Sequence, residues 1–129
     1  MRRQSILSPH PDLIVISFII PAHNEEALIG QTLSALHESV RTLGESYEII
    51  VANDASTDRT AAIALEHGAR LVAVDRREIA AARNAGARAA TGDLLIFVDA
   101  DTIVTRKALQ AAVRSLGRGC WWRLFRSLR

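Results

Sequence analysis

The feature that most constrains the fold is an almost continuously apolar run, LIVISFII, from Leu13 to Ile20. An exposed strand would alternate apolar and polar residues, whereas a run of this kind is typical of a strand that is covered on both faces. Pro21 follows the run directly and predicts the end of the strand. The sequence therefore predicts a buried strand inside a parallel sheet.

Three further apolar runs of strand length follow along the chain, and each is separated from the next by a helical pattern. The predicted strands are Tyr47–Ala52, Arg70–Val74 and Leu94–Val98. The predicted helices are Leu28–Leu43 before Gly44, a second one from Ser56 or Asp58 to Gly68, Ile79–Ala90, and Arg106–Leu116 after Thr105. This alternation predicts an α/β fold with right-handed crossovers, a parallel sheet and helices on both of its faces.

Length and composition favour one soluble domain. The chain has 129 residues, which is enough for one core, and its single cysteine excludes an internal disulfide and favours a cytoplasmic setting. The longest apolar run is too short to span a membrane. We expect an N-terminal extension at 1–12, a domain at 13–117 and an atypical tail at 118–129.

Charge is divided unevenly along the chain. Residues 1–101 hold nine basic and fourteen acidic side chains, whereas residues 102–129 hold seven basic ones and no acid. The tail also carries Trp121, Trp122 and Phe125, so peripheral contact with an anionic inner membrane surface is one expectation. The acidic body argues against nucleic acid as a partner.

Polar clusters stand directly after three of the predicted strands. They are PAHNEE at 21–26, NDASTD at 53–58 and DADT at 99–102. In open parallel sheets, ligands bind beyond the carboxyl ends of the strands. We therefore expect these three segments to converge on one site.

The pair Asp99 and Asp101 has two readings. The residues could belong to a loop that caps the next helix, or they could share one side of an extended segment and hold a divalent cation. An EF-hand is excluded, because Val104 and Gln110 stand where that loop needs Gly and Glu. Carboxylates suit Mg²⁺ or Mn²⁺, which keep open positions for phosphate oxygens.

The other polar residues also have structural alternatives. Asp54 could form a turn or accept hydrogen bonds from a ribose or base, and Arg83 could be a solvated charge or meet a nucleotide. Glu25 and Glu26 suit the first turn of a helix, where the dipole favours acids, and His23 is expected to be a pocket wall. We expect turn roles for Asn53, Ser56 and Asp58. Neither a dinucleotide-binding glycine motif nor a P-loop is present.

Taken together, ISFIIPAHNEEALIGQTL, YEIIVANDASTDRT and AAARNAGARAATGDLLIFVDADT resemble the nucleotide-sugar-binding half of family 2 glycosyltransferases. The resemblance covers about residues 14 to 116, in the family's order and spacing. It implies a Rossmann-like GT-A fold and a hexosyltransferase type of enzyme. Such an enzyme transfers a sugar from a UDP- or GDP-type donor to an acceptor hydroxyl, usually with inversion and with Mg²⁺ or Mn²⁺.

The resemblance also implies roles for individual residues. Asp99 matches the first acid of the metal motif, near the ribose, and Asp101 matches its main metal ligand. Asp54 matches the acid that contacts the base, and Arg83 matches the basic residue beside the nucleotide. The first loop, which lines the nucleoside, contributes Pro21, Ala22, His23 and Glu25.

The family's general base lies well downstream of the aspartate pair, and residues 102–129 contain no Asp, Glu or His. No catalytic residue is therefore identified, and we expect a copy truncated after the fourth strand and its following helix, with little activity. One alternative is a non-catalytic nucleotide-sugar-binding remnant. A weaker one is a phosphatase of the haloacid dehalogenase type, because VDADTIV loosely fits that family's nucleophile motif.

Overall fold

The computed structural model describes residues 15–116, in which four strands and four helices alternate. The strands are β1 (Val15–Ala22), β2 (Ser46–Asp54), β3 (Arg70–Val74) and β4 (Leu94–Phe97). The helices are α1 (Ile29–Arg41), α2 (Thr60–Glu66), α3 (Ile79–Ala89) and α4 (Arg106–Leu116). The predicted α/β organisation is confirmed, with shifts of a few residues at some ends.

All four strands are parallel and lie in the order β3-β2-β1-β4. Strands β1, β2 and β3 are neighbours in chain order, and α3 then connects β3 to β4, which lies on the other side of β1. The order of the strands therefore reverses between β1 and β4. A reversal of this kind opens a crevice at the carboxyl ends of the strands, where ligands bind in such sheets.

Helices cover both faces of the sheet, as predicted. On one face, Phe18 and Ile16 of β1 belong to a buried cluster that includes Leu36 of α1 and Leu109 of α4. On the other face, α3 packs on β1 so closely that a Cβ added to Gly86 would lie 2.5 Å from Cγ2 of Ile19. The alternation of β1 between these two faces explains why its sequence is almost continuously apolar.

The sequence predicts that β1 ends at Pro21, but the strand continues to Ala22. The carbonyl of Ile19 accepts a hydrogen bond from the N–H of Val98, so alternate residues of β1 from Ile19 face β4. Pro21 has the same orientation, but β4 has ended at Phe97, and no ladder partner needs the missing N–H.

The prediction that Glu25 and Glu26 occupy the first turn of a helix is wrong. Helix α1 begins at Ile29 and has no acid in its first turn. The carbonyl of Glu25 accepts hydrogen bonds from the N–H groups of Leu28 and Ile29, and the Glu26 carboxylate accepts one from the N–H of Arg59. Both acids therefore belong to the loop before the helix.

At the amino ends of the strands, Glu48 joins three parts of the chain. Its carboxylate accepts hydrogen bonds from the Ser17 hydroxyl (2.6 Å), the Thr91 N–H (2.7 Å) and the Arg70 guanidinium (3.0 Å). Burial alone would raise the pKa of Glu48, but these hydrogen bonds hold it below its ordinary value. Glu48 is thus a structural acid, far from the strand ends that carry the candidate site.

The predicted extension at 1–12 and the tail at 118–129 lie outside the described residues, so the domain bounds and the membrane contact stay predictions. Within residues 15–116, no helix is both long enough and apolar enough to cross a membrane.

Candidate functional site

A cavity of about 260 Å³ lies at the carboxyl ends of β1 and β2. Five of the predicted site residues line it, together with four residues from the segment that follows β3. The predicted ones are Pro21, Ala22, His23, Glu25 and Asp54, and the others are Arg77, Glu78, Ile79 and Ala82. The structure thus brings the first two polar clusters together around one space.

Asp54 is buried at the end of β2, and its carboxylate organises the loop between β3 and α3. Oδ1 accepts hydrogen bonds from the N–H groups of Arg76 and Arg77, both at 2.9 Å, and Oδ2 accepts one from the N–H of Glu78 at 3.0 Å. These bonds, that of Arg77 foremost, lower the pKa of Asp54 although burial opposes the shift. Asp54 therefore stays ionised and holds Arg77, whose φ is +53°, in a left-handed conformation.

His23 links the ends of β1 and β2. Its Nδ1 lies 2.6 Å from the backbone carbonyl of Asp54, which can only accept, so Nδ1 carries a proton and donates it to that carbonyl. Nε2 lies 3.4 Å from the side-chain amide nitrogen of Asn24. With both nitrogens engaged within the protein, His23 is a wall of the cavity, in line with its prediction.

The loops after β1 and β2 are locked to each other by side chains. The Thr60 hydroxyl accepts a hydrogen bond from the N–H of Glu25 (2.8 Å) and donates one to the carboxylate of Asp58. Asp58 also accepts from the N–H of Thr60, the first residue of α2. The N-cap of that helix is Arg59, so the prediction that Ser56 or Asp58 caps it is wrong. A further hydrogen bond between the same two loops runs from the N–H of Thr57 to the side-chain oxygen of Asn24. The rim of the cavity is thereby held rigid.

The metal-binding interpretation placed Asp99 and Asp101 on an extended segment, and the structure does not show one. The two residues lie in a turn that is closed by a hydrogen bond from the N–H of Thr102 to the carbonyl of Asp99 (3.1 Å). The side chains around this turn alternate between the core and the surface. Asp99 is half-buried and Asp101 is exposed. The residues that alternate with them, which are Val98, Ala100, Thr102 and Val104, are all buried.

The acidic turn lies close to the first loop, as Glu25 shows. Partial burial raises the pKa of Glu25, and the negative charges of Asp101, Asp58 and Asp99 raise it further, whereas His23 lowers it. Acids of the second and third polar clusters therefore lie near enough to Glu25, in the first cluster, to affect its pKa.

The donors at this crevice fit a cation that is shared with a ligand. In the described part of the chain, no three His, Cys, Asp or Glu side chains gather as a metal-holding group. Mg²⁺ is commonly bound through only one or two carboxylates, with water and substrate phosphates completing its shell. Asp99 and Asp101 are hard oxygen donors of that kind.

Arg83 lies half-buried on α3 and is not among the residues that line the cavity. The basic residue in the lining is Arg77, which the sequence analysis did not identify. One signal could have found it. The segment DRRE at 75–78 follows the third strand, so it is a fourth polar cluster at the same edge of the sheet.

Comparisons with known proteins agree on the kind of domain. The sequence profile described as Glycosyl transferase family 2 matches residues 17–120. A validoxylamine A glucosyltransferase from Streptomyces hygroscopicus subsp. limoneus is 32% identical over 105 residues, which are 77% of this chain and 23% of the relative.

Two further matches are similar in extent. An undecaprenyl-phosphate 4-deoxy-4-formamido-L-arabinose transferase from Pseudomonas paraeruginosa is 37% identical over 102 residues, 74% of this chain and 30% of the relative. The crystal structure of glucosyl-3-phosphoglycerate synthase from Mycobacterium tuberculosis with Mn²⁺, UDP and glucosyl-3-phosphoglycerate superposes with a TM-score of 0.65 at 31% identity. That match covers 80% of this chain and 39% of the synthase. The chain thus spans between about a quarter and two fifths of the length of these proteins.

Proposed function

The chain belongs to glycosyltransferase family 2, and we propose that its described domain binds the nucleotide-sugar donor of a metal-dependent hexosyl transfer. The observation that carries this proposal is the placement of the 260 Å³ cavity beside the acidic turn after β4. A cavity for a nucleoside next to carboxylates for a cation suits a nucleoside diphosphate, which has both parts.

The nucleoside occupies the cavity in this proposal. Pro21, Ala22 and His23 form one wall, and Ile79, which is 58% exposed, offers an apolar surface at the mouth. Asp54 faces the base. Because its Oδ2 accepts a single backbone N–H, that oxygen retains a lone pair for an N–H of the ligand. Arg83 is the proposed cation beside the nucleotide, in accord with the family's pattern.

Asp101 and Asp99 are the proposed ligands of Mg²⁺ or Mn²⁺. Such a cation stabilises the negative charge that develops on the leaving diphosphate. Asp101 is exposed and able to reach a bound ion, whereas the half-buried Asp99 lies nearer the sheet, on the side expected for the ribose. The mycobacterial synthase, whose structure contains Mn²⁺ together with UDP, supports this assignment by analogy.

Deprotonation of the acceptor hydroxyl needs a base within hydrogen-bond reach of it. Residues 102–129 contain no Asp, Glu or His, so the described domain supplies the donor side of the reaction. The phosphatase alternative is not favoured, because the aspartate pair follows the fourth strand and the matching profile is that of glycosyltransferases.

Isothermal titration calorimetry with UDP and GDP, each with and without Mn²⁺, tests the proposal. We expect tight binding only with the metal, and we expect Asp101→Asn to remove that metal dependence. Asp54→Ala should weaken binding whether or not metal is present. Asp93→Asn is the matched control, because Asp93 stands at the opposite end of β4 and accepts a hydrogen bond from the N–H of Val15. Equal nucleotide binding in EDTA would refute the proposed role of the cation.

A further inference from the structure

Helix α1 carries two hydroxyl residues on its apolar face. Thr32 is fully buried and Ser39 is 6% exposed, among core residues that include Leu33 and Leu36. A hydroxyl in such surroundings is costly unless it is hydrogen-bonded. Each of the two donates a hydrogen bond to the segment between β4 and α4, Thr32 to the carbonyl of Ala100 at 2.6 Å and Ser39 to the carbonyl of Val104 at 2.8 Å.

The segment that receives these bonds contains the proposed metal ligands but no helix or strand. Residues 98–105 are connected to β1 through the N–H of Val98, and the turn itself is closed by the N–H of Thr102. The carbonyl of Ala100 belongs to the peptide unit that joins Ala100 to Asp101. Its hydrogen bond to Thr32 therefore fixes the plane of that unit, and the orientation of the plane sets the direction in which the Asp101 side chain leaves the backbone.

We propose that Thr32 is a positioning residue for the metal site, acting through the Ala100 carbonyl on Asp101. The proposal rests on the proposed function, since it takes Asp101 as a metal ligand. Groups that orient the ligands of a metal are worth about 10- to 100-fold in metal affinity in other proteins. We expect a loss in that range when the Thr32 hydroxyl is removed. Ser39 bonds three residues beyond Asp101, so it secures the segment without orienting the ligand.

Three variants of the full chain separate positioning from general destabilisation. Thr32→Val keeps the shape and removes the hydroxyl, Thr32→Ser keeps the hydroxyl, and Ser39→Ala removes the neighbouring tether on the same face of α1. If valine prevents folding, which circular dichroism will show, Thr32→Ala replaces it. Free Mn²⁺ is measured by electron paramagnetic resonance in the presence of saturating UDP, and amide hydrogen exchange of the metal-free protein is measured at Thr102.

We expect Thr32→Val to weaken Mn²⁺ binding about 10- to 100-fold and to speed exchange at the Thr102 amide, whose hydrogen bond closes the turn. Thr32→Ser should restore both, and Ser39→Ala should lower stability with little change in Mn²⁺ affinity. If Thr32→Val binds Mn²⁺ and exchanges the Thr102 amide as the parent does, the positioning role is wrong. The Asp101→Asn variant would still test the proposed metal site in that case. Mn²⁺ binding that survives Asp101→Asn would overturn the metal assignment and this inference with it.

Discussion

Replacement of Gly86 by alanine tests how closely α3 packs on the sheet. The new Cβ would lie 2.5 Å from Cγ2 of Ile19, whereas two non-bonded carbons are most stable at about 3.5–4.0 Å. Either α3 must withdraw by about 1 Å, or Ile19, which is fully buried, must change its rotamer. Overpacking of this kind costs about 1–3 kcal/mol, and it is offset by up to about 1 kcal/mol of helix propensity gained over glycine. We expect a net loss of about 1 kcal/mol.

Gly30 provides the matched control, because it is also a helical glycine. A Cβ at Gly30 would meet the nearest side-chain atoms, from His67 and Ile63, at 3.5 Å, which is ordinary contact. Gly30→Ala should therefore stabilise the protein by up to about 1 kcal/mol, so the two substitutions should shift stability in opposite directions.

Urea unfolding followed by circular dichroism measures both effects, and thermal unfolding should show Gly86→Ala melting lower by about 4–8 °C. A double-mutant cycle with Ile19→Ala adds a second comparison, since removal of Cγ2 should make Gly86→Ala favourable. Because Ile79 and Ala82 of α3 line the cavity, nucleotide affinity should fall with the displacement of the helix. If Gly86→Ala stabilises the protein as much as Gly30→Ala does, the close approach of α3 to β1 is wrong.

Two further predictions concern acids with lowered pKa values. The folded-state pKa of Glu48 lies below its ordinary value near 4.5. The ionised carboxylate therefore stabilises the fold above about pH 4.5, and this contribution is lost as the pH falls through the lower folded-state pKa. Glu48→Gln should therefore be less stable than the parent at pH 7, and the difference in unfolding free energy between the two proteins should become smaller below about pH 4.5. Unfolding measured at a series of acid pH values checks this, and a difference that does not change with pH would contradict the role of the charge. Asp54→Asn replaces one acceptor oxygen with a donor, so amide exchange at Arg77 or Glu78 should become faster by mass spectrometry or NMR. Unchanged protection of the loop in that variant would show that Asp54 does not hold it.

The sequence by itself determined the architecture of this protein. Apolar runs of strand length alternate with three- and four-residue periodicities, and both patterns are local, so they predict a parallel α/β sheet without knowledge of any distant contact. The bounds of β3 and α4 were predicted correctly, and the three polar clusters were predicted to converge because parallel strands end at one edge.

Only the tertiary structure decided how the polar residues are used. Asp54 binds the backbone of residues 76–78, more than twenty positions away, and nothing in NDASTD indicates that partner. Pro21 remains inside β1 because β4 ends beside it, and Arg77 reaches the cavity because the loop is held in place by Asp54. Each of these outcomes depends on which groups meet across the sheet. A hydrogen bond between distant segments has no periodicity along the chain, so it leaves no local pattern to read.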